Sequence, residues 1–192
     1  MREIIKLGLI LFIITAIAAA LLGFANEVTS DIIAQVQEEE SNKARQEVLP
    51  SAEKFTPLEE NEFNAIVAEN NRVKEVYIGK NSVDELVGYT IKTIASGYGG
   101  DIEIITGISV EGQITGMKVV SHSETPGLGA NSTKPDFQNQ FTGKSVSSNI
   151  SVVKSAPNDT EIQAISGATI TSNAVSNGVN IAIDVFNRNF VK

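Results

Sequence analysis

The sequence predicts an α+β domain, with an antiparallel sheet flanked by helices, preceded by one N-terminal transmembrane helix. Three features support this fold class. An uncharged segment covers residues 7–25, strand-like segments joined by short turns fill residues 73–120, and helical periodicity extends from about Ser172 to Arg188. Hairpins flanked by helices are typical of antiparallel α+β domains, whereas a doubly wound parallel sheet alternates strands with helices.

The N-terminal segment has the length and composition of a membrane anchor. Arg2 and Lys6 precede the uncharged residues 7–25, which as a helix would span roughly 28 Å, close to the hydrocarbon thickness of a bilayer. A cleaved signal peptide is the alternative, because residues 18–20 are all alanine, but the apolar region of such peptides is typically only about 7–15 residues long. The basic residues before this helix and the acidic run at 38–40 predict a single-pass protein of the cell membrane, with a cytoplasmic N-terminus and an extracytoplasmic domain.

The sequence therefore divides into a membrane anchor at residues 1–25, a polar stalk at 26–50 and an extracytoplasmic domain at 51–192. The stalk carries a narrow apolar stripe at helical spacing, which predicts a juxtamembrane helix. Apolar residues between 55 and 67 predict a short helix that packs on the domain.

Strand patterns dominate the middle of the domain. The predicted strands are Val73–Ile78, Leu86–Ala95, Ile102–Val110 and Gln113–Val120. The last two form a hairpin around Glu111-Gly112, a favoured turn composition, and the glycine-rich residues 97–100 are interpreted as a flexible break. Further along, residues 135–141 predict a helix and residues 150–154 a strand.

Composition excludes several classes of function. The chain has 192 residues, with 23 acidic and 15 basic side chains, no cysteine and one histidine. Nucleic-acid binding requires a basic surface, which this balance does not supply. Without cysteine the chain has no disulfide, no thiolate nucleophile and no iron–sulfur ligand, and one histidine rules out a histidine-rich metal site. Redox chemistry would therefore need an organic cofactor.

The first functional candidate is the segment Ser166–Ser172, which joins a short apolar segment to the last helix. A small-residue turn before a helix leaves backbone N–H groups unpaired at the positive end of the helix dipole, and this arrangement favours a bound phosphate. Three hydroxyls, those of Thr169, Thr171 and Ser172, lie close to that position. An ordinary helix capped by Ser or Thr is the alternative interpretation.

The second candidate is the loop Ser121–Gly129, which follows a predicted strand and contains the sequence His-Ser-Glu-Thr-Pro-Gly-Leu-Gly. Pro126 restricts the backbone, while Gly127 and Gly129 allow a ligand to approach main-chain N–H groups closely. Leu128 could cover an apolar ring. A structural histidine followed by a simple Pro-Gly turn is the alternative.

Both segments resemble motifs of the FMN-binding domain family, found in the G subunit of Rnf complexes and the C subunit of sodium-pumping NADH:quinone reductases. The string SGATITSNAV is similar to the family's flavin-attachment motif, and HSETPGLG to its H-x-E-T-P-G-L-G loop. The resemblance implies that FMN is bound covalently, by a phosphoester bond to Thr169. It also implies further cofactor-binding residues: Ser166, Gly167, Ala168, Ile170, Thr171, Glu124, Thr125, Pro126, Gly127, Leu128 and Gly129. The family usually has an acidic residue three positions before the Ser, where this chain has Gln163.

Lys154 lies between the two motifs and is a further candidate for a cofactor-binding residue, since its charge could lie near the flavin or its phosphate. A solvated lysine at a strand edge is the alternative.

The resemblance implies an electron-transfer subunit of a membrane ion-translocating oxidoreductase of the ferredoxin:NAD type. Its partners would be the membrane, the other subunits of the complex and a flavin transferase that attaches the FMN. No catalytic residue, metal site or substrate pocket of its own is expected. Two alternatives remain open: a free-standing, membrane-anchored flavoprotein, and a non-redox binding module in which the SGAT segment only caps a helix.

Overall fold

The structure is a computed structural model that describes residues 2–191. The chain forms two compact units, of which the first ends at Glu40 and the second begins at Ser41. The first unit belongs to helix α1 (Arg2–Val48), whose residues up to Glu40 are exposed. Helix α1 is long and apolar enough to cross a membrane.

The last two turns of α1 are part of the second unit, although the sequence assigned them to the stalk. Ala44 and Val48 are buried against Ile105. Arg45 forms an ion pair with Glu75, and its guanidinium carbon lies 3.8 Å from the centre of the Tyr77 ring. The spacing of four residues between Ala44 and Val48 puts both on one helix face, which explains why these turns pack on the domain.

A five-stranded antiparallel sheet forms the centre of this second unit, in the order β1-β2-β3-β4-β5. Its strands are β1 (Lys54–Pro57), β2 (Val73–Lys80), β3 (Leu86–Ser96), β4 (Asp101–Ser109) and β5 (Ile114–Ser121). Helix α2 (Glu60–Glu69) connects β1 to β2. The structure confirms the predicted α+β class.

Strand β1 is a difference from the sequence prediction, which placed a helix over residues 55–67. Phe55 pairs with Gly79 in the sheet, and the helix begins only at Glu60. The reason is Pro57, because a residue that precedes proline is disfavoured in helical conformation.

The segment after β5 is irregular and leads to the last helix. It contains a 3-10 turn (Gly129–Thr133), the short helix α3 (Pro135–Gln138) and a second 3-10 turn (Asn139–Phe141). Strands β6 (Ser151–Val153) and β7 (Glu161–Gln163) then pair in parallel, separately from the main sheet. Helix α4 (Thr169–Asn189) follows β7.

The main core lies between α4 and one face of the sheet. The buried core residues of α4 are Ala174, Val175, Val179, Ala182, Ile183, Val185 and Phe186. Gly178 allows the closest approach, because a side chain there would collide with Ile104, and Thr93 donates a hydrogen bond of 3.0 Å to the Gly178 carbonyl. Burying a Val, Ile or Phe side chain stabilises a fold by about 1.5–3 kcal/mol. This packing fixes where the N-terminus of α4 lies.

Candidate functional site

The first turn of α4 presents free backbone donors. The helix begins at Thr169, about three residues earlier than the sequence predicted, and its N-cap is Ala168. No acceptor among residues 2–191 receives the N–H groups of Thr169, Ile170 and Thr171, and no side chain caps the helix. The alternative of a Ser- or Thr-capped helix is therefore wrong, and these donors face outward at the positive end of the dipole.

The three hydroxyls of this segment have different roles. Thr171 is buried and donates a hydrogen bond of 2.6 Å to the Glu124 carboxylate. Ser172 is also buried, donating to the Ala168 carbonyl at 2.9 Å and accepting the Ile165 N–H at 2.9 Å. Thr169 is exposed, and its hydroxyl makes no hydrogen bond within residues 2–191. Of the three, Thr169 alone is open to a ligand.

Glu124 belongs to the loop Ser121–Gly129, and its side chain links this loop to two other segments. One is the turn between β3 and β4, and the other is the first turn of α4. Its side chain is buried, with only 6% of the residue exposed. One carboxylate oxygen accepts the N–H groups of Tyr98 at 2.7 Å and Gly99 at 2.9 Å. The other accepts the Thr171 hydroxyl. A single carboxylate therefore joins three segments that are far apart in the sequence.

The hydrogen bonds keep this carboxylate ionised. Burial raises the pKa of Glu124, but the hydrogen bonds from Thr171, Gly99 and Tyr98 together with the nearby His122 outweigh it, so the pKa lies below its ordinary value. A carboxylate that accepts several hydrogen bonds is stabilised in its charged form.

Two glycines make room for Glu124. A Cβ atom at Gly97 or Gly129 would overlap a carboxylate oxygen, and at Gly129 it would also lie 2.6 Å from the Thr171 hydroxyl. The residues 97–100, interpreted from sequence as a flexible break, instead form an ordered turn, closed by a hydrogen bond of 2.8 Å from the Gly97 N–H to the Gly100 carbonyl.

A cavity of about 460 Å³ lies where these segments meet. Its lining residues are Tyr98, Glu124, Thr125, Leu128, Gly129, Gly167, Ala168, Thr169, Ile170 and Thr171. All of these except Tyr98 were identified from the sequence. Tyr98 was missed because its link to the site is a hydrogen bond to Glu124, 26 residues away. Its position between glycines was the one available signal.

Four of the residues identified from sequence do not line the cavity. Ser166 is exposed beside it, just before Gly167. Pro126 and Gly127 form the exposed tip of the loop, where Gly127 has a φ of 79°. Lys154 is exposed after the end of β6, and its carbonyl accepts a hydrogen bond of 3.2 Å from the Gln163 side chain.

Within the part of the chain that the structure describes, no group of three or more His, Cys, Asp or Glu side chains is placed to hold a metal ion. The cavity has the free hydroxyl of Thr169, the backbone N–H donors at the start of α4 and apolar walls that include Leu128 and Ile170.

Two sequence families match this chain. Residues 97–184 match the FMN-binding domain family, and residues 1–48 match the RnfG N-terminal region. The first match begins at the turn that contains Tyr98 and contains both candidate motifs.

Relatives of known identity align over nearly the whole chain. The G subunit of the Na(+)-translocating ferredoxin:NAD(+) oxidoreductase complex of Acetobacterium woodii is 45% identical, over 96% of this chain and 92% of that protein. The G subunit of the ion-translocating oxidoreductase complex of Methanosarcina acetivorans is 38% identical, over 95% of this chain and 94% of its own length.

Solved structures share the fold. NqrC from Shewanella oneidensis aligns with a TM-score of 0.62 at 17% identity, covering 80% of this chain and 96% of that one. The C subunit of the Na(+)-translocating NADH-quinone reductase from Parabacteroides distasonis aligns with a TM-score of 0.56 at 24% identity, covering 79% of this chain and 94% of that one.

Proposed function

This chain belongs to the family of G subunits of Rnf-type ion-translocating oxidoreductase complexes, and from that premise we propose that it is the electron-transfer subunit of such a complex. Its relatives are named as subunits of ferredoxin:NAD(+) oxidoreductases that translocate Na(+) in one organism and protons in another. The partners of this chain are accordingly the other subunits of a membrane complex, and its domain binds FMN.

We further propose that FMN is attached covalently to Thr169. The observation that supports this attachment is the exposed, unbonded Thr169 hydroxyl beside three free N–H groups at the start of α4. Backbone donors at a helix N-terminus favour an anionic phosphate. In the attachment, Thr169 Oγ1 would form an ester bond to the FMN phosphorus and lose its proton. A flavin transferase would take the FMN from a phosphoanhydride donor, whose P–O–P bond breaks and whose remaining phosphate-bearing part is the leaving group.

The cavity suits the rest of the cofactor. Its volume of about 460 Å³ lies within the range of roughly 300–1,000 Å³ that is usual for ligand sites. Leu128 and Ile170 supply apolar surface for a flat ring, while Thr125 and the helix start supply polar groups. Bound FMN would supply the capacity to accept and donate electrons, and the chain would hold it at a fixed place.

We also propose that residues 7–25 of α1 lie in the membrane, with a cytoplasmic N-terminus and an extracytoplasmic domain. The basic residues before this segment and the acidic ones after it support that orientation. A protease added to intact spheroplasts should therefore digest the domain and spare cytoplasmic proteins, whereas full protection of the domain would contradict the orientation.

The attachment is tested by expressing the chain with a flavin transferase and measuring its mass and its in-gel fluorescence. We expect the wild-type protein to gain the mass of one FMN minus water, located at Thr169 by tandem mass spectrometry. Thr169→Ala should lose the label completely. Thr125→Ala is the matched control, because Thr125 is a second exposed threonine that lines the same cavity, and it should keep the label. A label that persists in Thr169→Ala would overturn the proposed attachment.

A further inference from the structure

The side chain of Tyr98 is a large aromatic group that is exposed to solvent. It is 72% exposed, yet its backbone is fixed, because its N–H and that of Gly99 both donate to Glu124. The exposed ring is therefore carried by a backbone segment that a buried carboxylate holds in place.

The ring of Tyr98 has no partner of its own in the described part of the chain. The other tyrosines are engaged: Tyr89 stacks on Phe190 at 4.0 Å between ring centres, and Tyr77 lies under the Arg45 guanidinium. No aromatic pair, cation contact or hydroxyl hydrogen bond within residues 2–191 involves the Tyr98 side chain. Its contact surface is the cavity, which it lines.

Glu124 also sets the position of Tyr98 relative to Thr169. One carboxylate oxygen holds the Tyr98 backbone, and the other holds Thr171, two residues beyond Thr169 in the first turn of α4. The backbone that carries the aromatic ring and the helix turn that carries the attachment hydroxyl are therefore held by the same buried group. Leu128 and Ile170, 45% and 56% exposed, complete the apolar rim of the cavity.

We infer that Tyr98 is a cofactor-contacting residue whose ring stacks on the isoalloxazine of the attached FMN, and that Glu124 is the positioning residue that holds it there. This inference rests on the proposed attachment of FMN at Thr169. Offset stacking of two flat rings is a favourable arrangement for aromatic groups. It would give the exposed ring of Tyr98 the partner that the rest of the described chain does not provide.

The inference is tested on the full-length flavinylated protein by flavin fluorescence lifetime and by visible circular dichroism. A phenol in contact with an isoalloxazine quenches its fluorescence by reversible electron donation, with no net oxidation of either group. Tyr98→Leu should therefore raise the fluorescence yield several-fold and change the visible dichroism. Tyr98→Phe should raise the yield as well, because phenyl is a poorer electron donor, but should keep the dichroism since the ring remains.

Leu86→Ala is the matched control, because Leu86 is an exposed apolar residue at the start of β3, whereas the turn that carries Tyr98 follows the other end of that strand. It should leave lifetime and dichroism unchanged. Wild-type lifetimes in a fully labelled Tyr98→Leu protein, or equal changes in the Leu86→Ala control, would overturn the role of Tyr98. Absence of label from the wild-type protein would instead overturn the attachment at Thr169.

Discussion

Arg45 and Glu124 are both buried charged residues, but their charges are stabilised by different kinds of partner. Arg45, in the last turns of α1 that pack on the sheet, is paired with the opposite charge of Glu75 and lies over the ring of Tyr77. Glu124, at the cavity, has no ion-pair partner within residues 2–191 and is satisfied by two N–H groups and one hydroxyl. Neutral donors can stabilise a carboxylate as effectively as a cation does.

The two charged residues have different roles: Arg45 stabilises the packing of α1, and Glu124 positions the segments that line the cavity. Around Arg45, opposite charges attract over a wide range of angles and secure the packing of α1. Around Glu124, each hydrogen bond is directional, so the carboxylate sets the positions of the Tyr98 turn and the first turn of α4. Among the described residues, no lysine or arginine lines the cavity, which leaves the helix N-terminus as its source of positive potential.

The largest effect is expected for Arg45→Ala. This change leaves Glu75 without its main partner and removes the contact with Tyr77. The free energy of unfolding should therefore fall by about 3 kcal/mol. This value is at the lower end of the range for a broken buried ion pair, because Lys92 still pairs with Glu75 at 3.2 Å. Urea unfolding of the full-length protein in detergent measures it. Arg188→Ala, which breaks exposed pairs with Asp184 and Glu69, is the control and should lose less than about 1 kcal/mol. Equal losses would mean that the Arg45 pair has no special role.

Glu124→Ala should have the next largest effect and should act on the site. It leaves the Thr171 hydroxyl and two N–H groups without their acceptor, and an unsatisfied buried donor costs about 1–3 kcal/mol. We expect the free energy of unfolding to fall by about 2 kcal/mol, since water can reach the exposed turn at Tyr98. Glu124→Gln should lose less, because its amide oxygen still accepts N–H groups. If Glu124→Gln were as destabilised as Glu124→Ala, the ionic charge and not the hydrogen bonds would dominate.

The smallest effect is the pH dependence that Glu124 contributes to stability. Its pKa is lowered in the folded protein, so its contribution to stability is complete above the ordinary glutamate pKa of about 4.3 and is lost as the pH falls through the lowered value. The difference in unfolding free energy between wild type and Glu124→Gln should therefore shrink on acidification. Parallel urea titrations from pH 7 to pH 3 measure it, and a constant difference would contradict the lowered pKa.

Much of the fold was predictable because it depends on local patterns. The four strands between residues 73 and 121 were predicted from strand-forming residues bounded by turn residues, and the structure confirms them. The parallel pair β6–β7 was not predictable, since three residues in each strand carry too little pattern. The start of α4 was predicted late because Thr169, Ile170 and Thr171 are all β-branched, and β-branched side chains disfavour helices.

The site was predictable where a motif is contiguous. Both sequence motifs contribute to the cavity, and the family that they indicated is confirmed by relatives that align along nearly the whole chain. Two features could not be predicted: the role of Glu124 as the common acceptor for two distant segments, and the place of Tyr98 in the lining of the cavity. Both follow from hydrogen bonds between residues more than 20 positions apart, which no local pattern records.

The charged side chains on the face of the sheet near α1 favour one pairing register of the strands. Lys92 of β3 pairs with Glu75 of β2 and with Glu103 of β4, at 3.2 and 3.1 Å. If β3 slipped by one residue, Lys92 would turn to the opposite face and enter the apolar layer beneath α4, away from both of these carboxylates. Such mispaired sheets are excluded by the desolvation of a lone ammonium group. The row of alternating charges therefore favours the native register of the three strands over registers shifted by one residue.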